Sequence, residues 1–399
     1  MPFQFLLRLI FGLFSWAILG AAGYLIWTHG DLLVGADGLA HRVRGEDWRL
    51  WVGLAFLAWS FLGKWIVVPL IAKPDERRTT PKRGDGQTVS SPNGDVLHVE
   101  IDGPIDAPPI ILTHGWGMDS TIWFYARRDL ARRFRVISWD LAGLGKSRRG
   151  SGEISLTRFA VDLAAVMELA APRPAVLVGH SIGGMTIQTL ARDNPQLLGA
   201  KVRGLVLLNT TYTNPLRTMI LSPLGLALRR PVLEPLFHLA IWLQPVAWLG
   251  AWQSYLSGSG HLANRIGFGR FVTRSQLEHT TLLTTRNPPA VQARGNLAMF
   301  RWDATNALSD LAIPMLVIGG EADIITKPEA SREIAASTTE ARLKVVDGVN
   351  HMGFLERPDV YNAAIEAFAD SVQPRPGDQT KTAGPFEPAV GRFSDGAEA

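Results

Sequence analysis

Gly179-His180-Ser181-Ile182-Gly183 carries the strongest chemical signal in this 399-residue chain. A β-favouring apolar run, Val176 to Val178, leads into it, and an apolar, helix-compatible segment follows from Met185. Strand, G-x-S-x-G and helix in that order make a tight, strained turn that presents a serine hydroxyl at the end of a sheet. Side chains at Gly179 or Gly183 would collide with the neighbouring strand and helix. A serine hydroxyl is a weak nucleophile near neutral pH and needs an adjacent base. Of the nine histidines, His29 and His41 lie in an N-terminal loop and His98 in a first hairpin. His114 and His180 fall in strand-end turns, and His238, His261 and His279 in a long insertion. His351 remains, just beyond the last strand candidate, and is the expected base. Asp323, in the loop after the Met315 strand, is the expected orienting carboxylate, with Glu321 as its rival two residues earlier. The order Ser, Asp, His suits a nucleophile elbow of this kind. Acyl transfer also needs backbone N–H groups aimed at the developing oxyanion. The expected donors are Ile182, next after the nucleophile, and Trp116 in the turn His114-Gly115-Trp116-Gly117.

Such residues work only if a sheet brings them to one edge. Asn93-Gly94 marks a hairpin between strand candidates 88–91 and 96–101. Further short, β-rich runs stand at 110–112, 136–139, 175–178, 204–208, 315–318 and 343–346. Helix-compatible segments such as 157–170 and 182–191 separate them, which implies a mostly parallel sheet covered on both faces. Ligands bind such sheets beyond the carboxyl ends of the strands. One connection is anomalous: about a hundred residues separate Asn209 from Ile313, where a dozen would suffice. The excess reads as an inserted cap over 212–306. The cap is expected to line a lipophilic acyl pocket, since its stretch from Met219 to Leu249 is dense in Leu, Ile, Pro and Trp.

The chain is 47% hydrophobic and only 19% charged, and the apolar excess gathers at the N-terminus. Segments of about 3–27 and 50–71 are each long and apolar enough for a membrane-spanning helix. Trp27, Trp48 and Trp51 stand at the ends facing the polar loop between them, where indole rings favour the headgroup zone. Residues 1–72 therefore read as a transmembrane hairpin, a multi-pass anchor. Lys73, Arg77, Arg78, Lys82 and Arg83 outnumber the loop's Arg42, Arg44 and Arg49, which puts the remainder on the cytoplasmic side. Residues 73–87 read as a linker, 88–211 and 307–372 as the catalytic core, and the polar stretch 373–399 as a disordered tail. No candidate catalytic residue precedes the core, so the helices read as a tether. The net charge of +4 suits an anionic bilayer and is too small and scattered for a nucleic-acid partner. Cysteine is absent, which excludes disulfides, thiolate metal sites and a cysteine nucleophile.

Taken together, these residues resemble the α/β-hydrolase superfamily over roughly Thr88 to Val372. The resemblance rests on the His-Gly-Trp-Gly turn, Asp140-Leu-Ala-Gly-Leu-Gly-Lys-Ser147, the Gly-His-Ser-Ile-Gly-Gly elbow, the Asp323 loop and His351. It implies the α/β-hydrolase fold with a helical lid inserted after the sixth strand, and a reaction needing neither cofactor nor metal. Asp140 to Ser147 looks like the family's turn after its fourth strand, structural rather than catalytic. Relatives that open epoxides or remove halides use an aspartate where Ser181 stands, which argues against both reactions. The expected function is that of a membrane-anchored serine esterase or lipase acting on a small lipophilic ester through an acyl-enzyme. The alternatives are a carbon–carbon bond or amide hydrolase with the same triad, or a non-enzymatic binding protein on the same fold. Oligomeric state leaves no trace in the sequence.

Overall fold

The computed structural model describes residues 2–373 apart from 37, 82, 85 and 310, with side chains from residue 5 onward. The expected disordered tail lies outside the described residues, except for Gln373. The chain opens with α1 (Pro2–Thr28), a two-stranded hairpin of β1 (Asp31–Val34) and β2 (Ala40–Val43), then α2 (Trp48–Leu62) and α3 (Lys64–Ile71). The main sheet is built from β3 (Gln87–Ser90), β4 (Val96–Asp102), β5 (Pro109–Thr113), β6 (Arg135–Trp139), β7 (Ala175–His180), β8 (Val202–Leu208), β9 (Met315–Gly320) and β10 (Ala341–Val346). Their order across the sheet is β10-β9-β8-β7-β5-β6-β4-β3. Strands β3 and β4 pair antiparallel, and all pairings from β6 across to β10 are parallel.

Side-chain alternation along these strands makes two cores. Ile111, Ile137, Leu177, Leu205 and Val317 face α5 (Leu156–Met167), α6 (Ile182–Asp193) and α14 (Pro328–Ala336). Ile110, Val136, Val178, Val206 and Ile318 face α4 (Phe124–Leu130), α15 (Gly353–Glu356) and α16 (Pro358–Val372). Strand β7 is buried at every position, as a central parallel strand must be. Strand β10 forms an edge and exposes Leu343 together with the charged Arg342 and Lys344, which discourage pairing with another chain.

Seven helices fill the long connection between β8 and β9: α7 (Pro215–Thr218), α8 (Ser222–Leu228), α9 (Glu234–Trp242), α10 (Gln244–Ser257), α11 (Ser259–Arg265), α12 (Arg274–Arg286) and α13 (Pro289–Arg301). Within them Leu216, Leu233, Phe237, Ala293 and Phe300 form a small core of their own, which Phe5 of α1 joins. Leu221, Leu224, Trp242, Val246 and Leu249 point outward and are exposed. The apolar stretch from Met219 to Leu249 thus divides between a core of its own and an outer face.

Helix α1 is long and apolar enough to cross a membrane. The expected second spanning helix is broken. Helices α2 and α3 meet at Gly63 with a bend of 62°. Alone, the 15 residues of α2 rise about 22 Å, short of a hydrocarbon core of about 30 Å. The cause is tertiary. A Cβ on Gly63 would stand 2.3 Å from the Ser257 carbonyl oxygen, so the chain presses against the end of α10 and turns there. Lys64 then donates to Glu278 of α12 (2.8 Å) and to the Tyr255 hydroxyl (3.1 Å). Nor is α1 a detached tether. Ser15 donates to Ser257 Oγ (2.7 Å), and Trp16 lies against Gly250 of α10. Its other end, Ala22 and Ile26, packs on Gly53 of α2. The expected linker is also pinned down: Lys73 pairs with Val272 and Arg274, and the Thr79 N–H bonds Ser275 Oγ (2.8 Å).

Candidate active site

Ser181 stands between the end of β7 and the start of α6 at φ 54° and ψ −117°, a conformation that non-glycine residues rarely adopt. The turn closes only because its neighbours lack side chains. A Cβ on Gly179 would approach the Gly183 carbonyl carbon to 2.4 Å, and one on Gly183 would approach Thr113 O to 2.2 Å. The strained backbone lifts the hydroxyl off the sheet edge. His351 Nε2 lies 3.0 Å from Ser181 Oγ, and His351 Nδ1 lies 3.0 Å from Asp323 Oδ2. All three residues are buried.

Asp323 only accepts. Its Oδ1 takes the N–H groups of Ile325 (2.8 Å) and Thr326 (2.9 Å). Its Oδ2 takes Asn209 Nδ2 (3.0 Å) and the Thr326 hydroxyl (2.8 Å) besides His351. Burial pushes this carboxyl up, but the His351 imidazole and the bonds from His351, Asn209 and Thr326 outweigh it and hold the group below the usual carboxylate range. An ionised Asp323 fixes the proton on His351 Nδ1 and leaves Nε2 bare towards the serine. Glu321 is exposed and accepts from the Gly348 N–H (3.2 Å), so the rival carboxylate is engaged elsewhere.

Several supporting residues escaped the sequence reading. His180, inside the elbow, bonds the His351 carbonyl through Nε2 (2.9 Å). Burial holds its pKa well below that of an ordinary histidine, so it stays neutral. Asn209 is itself steadied by the Tyr361 hydroxyl (2.9 Å), and Asn350 Oδ1 accepts the His351 N–H (2.8 Å). Only their positions just past strand ends hinted at these roles.

Ile182 opens α6, so its N–H has no partner within the helix. Trp116 lies in the turn after β5, with Gly117 at φ +74°. Its indole packs 5.9 Å from the Phe159 ring and donates to Gln292 O (3.0 Å). Asp140 is buried, accepts from Ser120 N (2.7 Å) and Lys146 N (2.8 Å), and pairs with Arg83, away from the triad geometry.

A small cavity, partly open to solvent, lies over Ser181. Trp116, His180 and His351 line it from the core, and Asn264, Phe268, Thr280 and Thr284 from the inserted helices. Arg8 of α1 lines it as well, which nothing in the sequence foretold. Among the described residues no group of three or more His, Asp or Glu side chains is arranged to hold a metal.

The sequence profile of the alpha/beta hydrolase fold matches residues 108–358. The chain belongs to that family. Among its relatives, a protein from Azorhizobium caulinodans named as a carbamate hydrolase is 27% identical, over 69% of this chain and 96% of its own length. A pimeloyl-[acyl-carrier protein] methyl ester esterase from Nitrosospira multiformis is also 27% identical, over 68% and 98%. The solved structure of an esterase from Exiguobacterium antarcticum superimposes with a TM-score of 0.58 over 71% of this chain and 99% of that one, at 18% identity. At that identity the likeness speaks for the fold alone. The family match begins beyond α1, α2 and α3.

Proposed function

We propose that this protein is a membrane-anchored serine hydrolase that cleaves carboxylic esters with a lipophilic portion. The carrying observation is the hydrogen-bonded chain from Ser181 Oγ through His351 to Asp323. In this reading Ser181 Oγ attacks the ester carbonyl carbon and its proton passes to His351 Nε2. The Ile182 and Trp116 amides hold the oxygen that gains negative charge. His351 returns the proton to the departing alkoxide, and the alcohol leaves an acyl-serine. Water then adds with His351 as base, the acid is released, and Ser181 recovers its proton. Asp323 stays ionised throughout and stabilises the imidazolium. The relative named a methyl ester esterase is consistent with this bond type. For the membrane, the support is the apolar length of α1 and the exposed Trp27, Trp48 and Trp51 at its far end. The basic excess in residues 73–83 favours a cytoplasmic catalytic body.

The test uses full-length protein in detergent, a fluorophosphonate probe and an ester series of increasing acyl length. Wild type should label and turn over, while Ser181→Ala should not label and should lose activity on the order of 10⁶-fold. Labelling of the alanine variant would move the nucleophile elsewhere. A higher kcat/KM for acetates than for medium chains would leave an ester hydrolase but remove the lipophilic portion of the reading.

A further inference from the structure

Arg8 is the one charged residue in the 27 of α1. A charge in so apolar a helix is costly unless it meets a partner or serves a site. Arg8 does not reach towards water at the helix end. It turns into the cavity that Ser181 and His351 line. Its Nη2 donates to Asn264 Oδ1 at 2.5 Å, and its Nε is shielded from solvent without a hydrogen-bond partner. Among the described residues no carboxylate stands within ion-pair distance of it, and none lines the cavity. Asn264 is held in place, its Nδ2 donating to Gly260 O (3.1 Å), so its amide oxygen faces the guanidinium. The hydroxyls of Thr280 and Thr284 are spent on helix carbonyls (2.8 and 2.9 Å), and His180 is neutral. Arg8 is therefore a positive charge at the cavity, partly withdrawn from solvent and without a carboxylate to pair it among the described residues.

We infer that Arg8 is a specificity-determining residue, which binds an oxyanion group, carboxylate or phosphate, carried by the ester substrate. The inference rests on the proposed role of Ser181 and adds the substrate class: an amphiphilic ester whose anionic group pairs with α1 while its carbonyl meets the serine. A guanidinium suits this task because its donors form a planar fork matched to carboxylate and phosphate oxygens. It also makes the anchoring helix part of the site.

The experiment compares full-length wild type, Arg8→Gln and Arg8→Lys in detergent. The substrates are the monomethyl ester of a medium-chain dicarboxylic acid, the neutral methyl ester of equal length, and a short-chain monoacyl glycerophosphate. Wild type should favour at least one anionic ester over the neutral one by roughly ten- to a hundredfold in kcat/KM. A preference confined to the dicarboxylic arm places the oxyanion on the acyl side, and one confined to the glycerophosphate places it on the alcohol side. Arg8→Gln, which can still bond Asn264, should raise KM for the favoured ester and erase the preference, with the neutral ester losing far less kcat/KM than the anionic one. Arg8→Lys should keep part of it. No preference in wild type, or an equal loss on all esters in Arg8→Gln, overturns the inference and makes Arg8 a packing residue. Neither outcome touches the serine mechanism. Absence of both turnover and Ser181 labelling in wild type overturns the mechanism instead.

Discussion

The Asp323 carboxylate has more hydrogen-bond donors around it than a mere counter-charge needs. Five donors converge on two oxygens, and one of them is His351 Nδ1. This over-determination fixes which nitrogen of His351 faces Ser181. Asp323→Asn would keep the shape but let the amide donate to Nδ1, so the proton would move to Nε2 and point at the serine. Activity should fall by about 10⁴-fold while the fold survives. Ester turnover measured beside near-ultraviolet circular dichroism checks both halves, and near wild-type turnover would remove Asp323 from the relay. Ser181, Asp323 and His351 were legible because each follows a recognisable strand, and strand ends meet along one sheet edge. Arg8 was not. It looks like any isolated basic residue near a chain start, and what gives it meaning is α11, more than 250 residues later.

At the scale of elements, the central strands of the main sheet could be read from short β-branched runs, because buried parallel strands are near-continuously apolar, and β3 and β4 from the Asn93-Gly94 turn between them. The second N-terminal helix could not. Its composition reads as one span, and the break at Gly63 is imposed by the Ser257 carbonyl. A polar clamp then holds α3 to the cap. Glu278 accepts from Lys64 (2.8 Å), the Tyr255 hydroxyl (2.5 Å) and His261 (2.7 Å). Burial disfavours its charge, but the bonds from His261, Lys64 and Tyr255 outweigh this and bring its carboxyl down from 4.5 to about 2. A folded pKa below the unfolded one makes the clamp fully effective above about pH 4.5, with its stabilisation lost as pH falls towards 2. Glu278→Gln should therefore lower the Tm at pH 7, and the gap to wild type should close in that acidic window. A gap independent of pH would mean that the ionised clamp contributes nothing.

On the scale of the whole molecule, the apolar surface is not spread evenly. The β10 edge carries Arg342 and Lys344, and the exposed ion pair of Lys201, just before β8, with Glu168, just after α5, lies at the other ends of the strands. The cap side carries Leu221, Leu224, Val246, Leu249 and Trp242, the last 78% exposed, next to the uncovered flank of α1. So many exposed large apolar side chains on one part of the cap are what an interaction surface would present. Helices α8 to α10 also form a long apolar pair bent by 99° near Leu243, too sharply folded for a simple span. The cap should then dip into the headgroup region beside α1, bringing the Ser181 cavity to the level where amphiphilic esters collect. The absence of cysteine makes this measurable with single labels. Trp242→Cys and Leu249→Cys, each carrying an environment-sensitive fluorophore, should shift to the blue and resist iodide quenching in anionic vesicles. Lys201→Cys, at the opposite ends of the strands, should remain quenchable. Equal quenching at all three positions would leave α1 as an anchor but hold the cap clear of the bilayer, and substrates would then have to reach Ser181 through water.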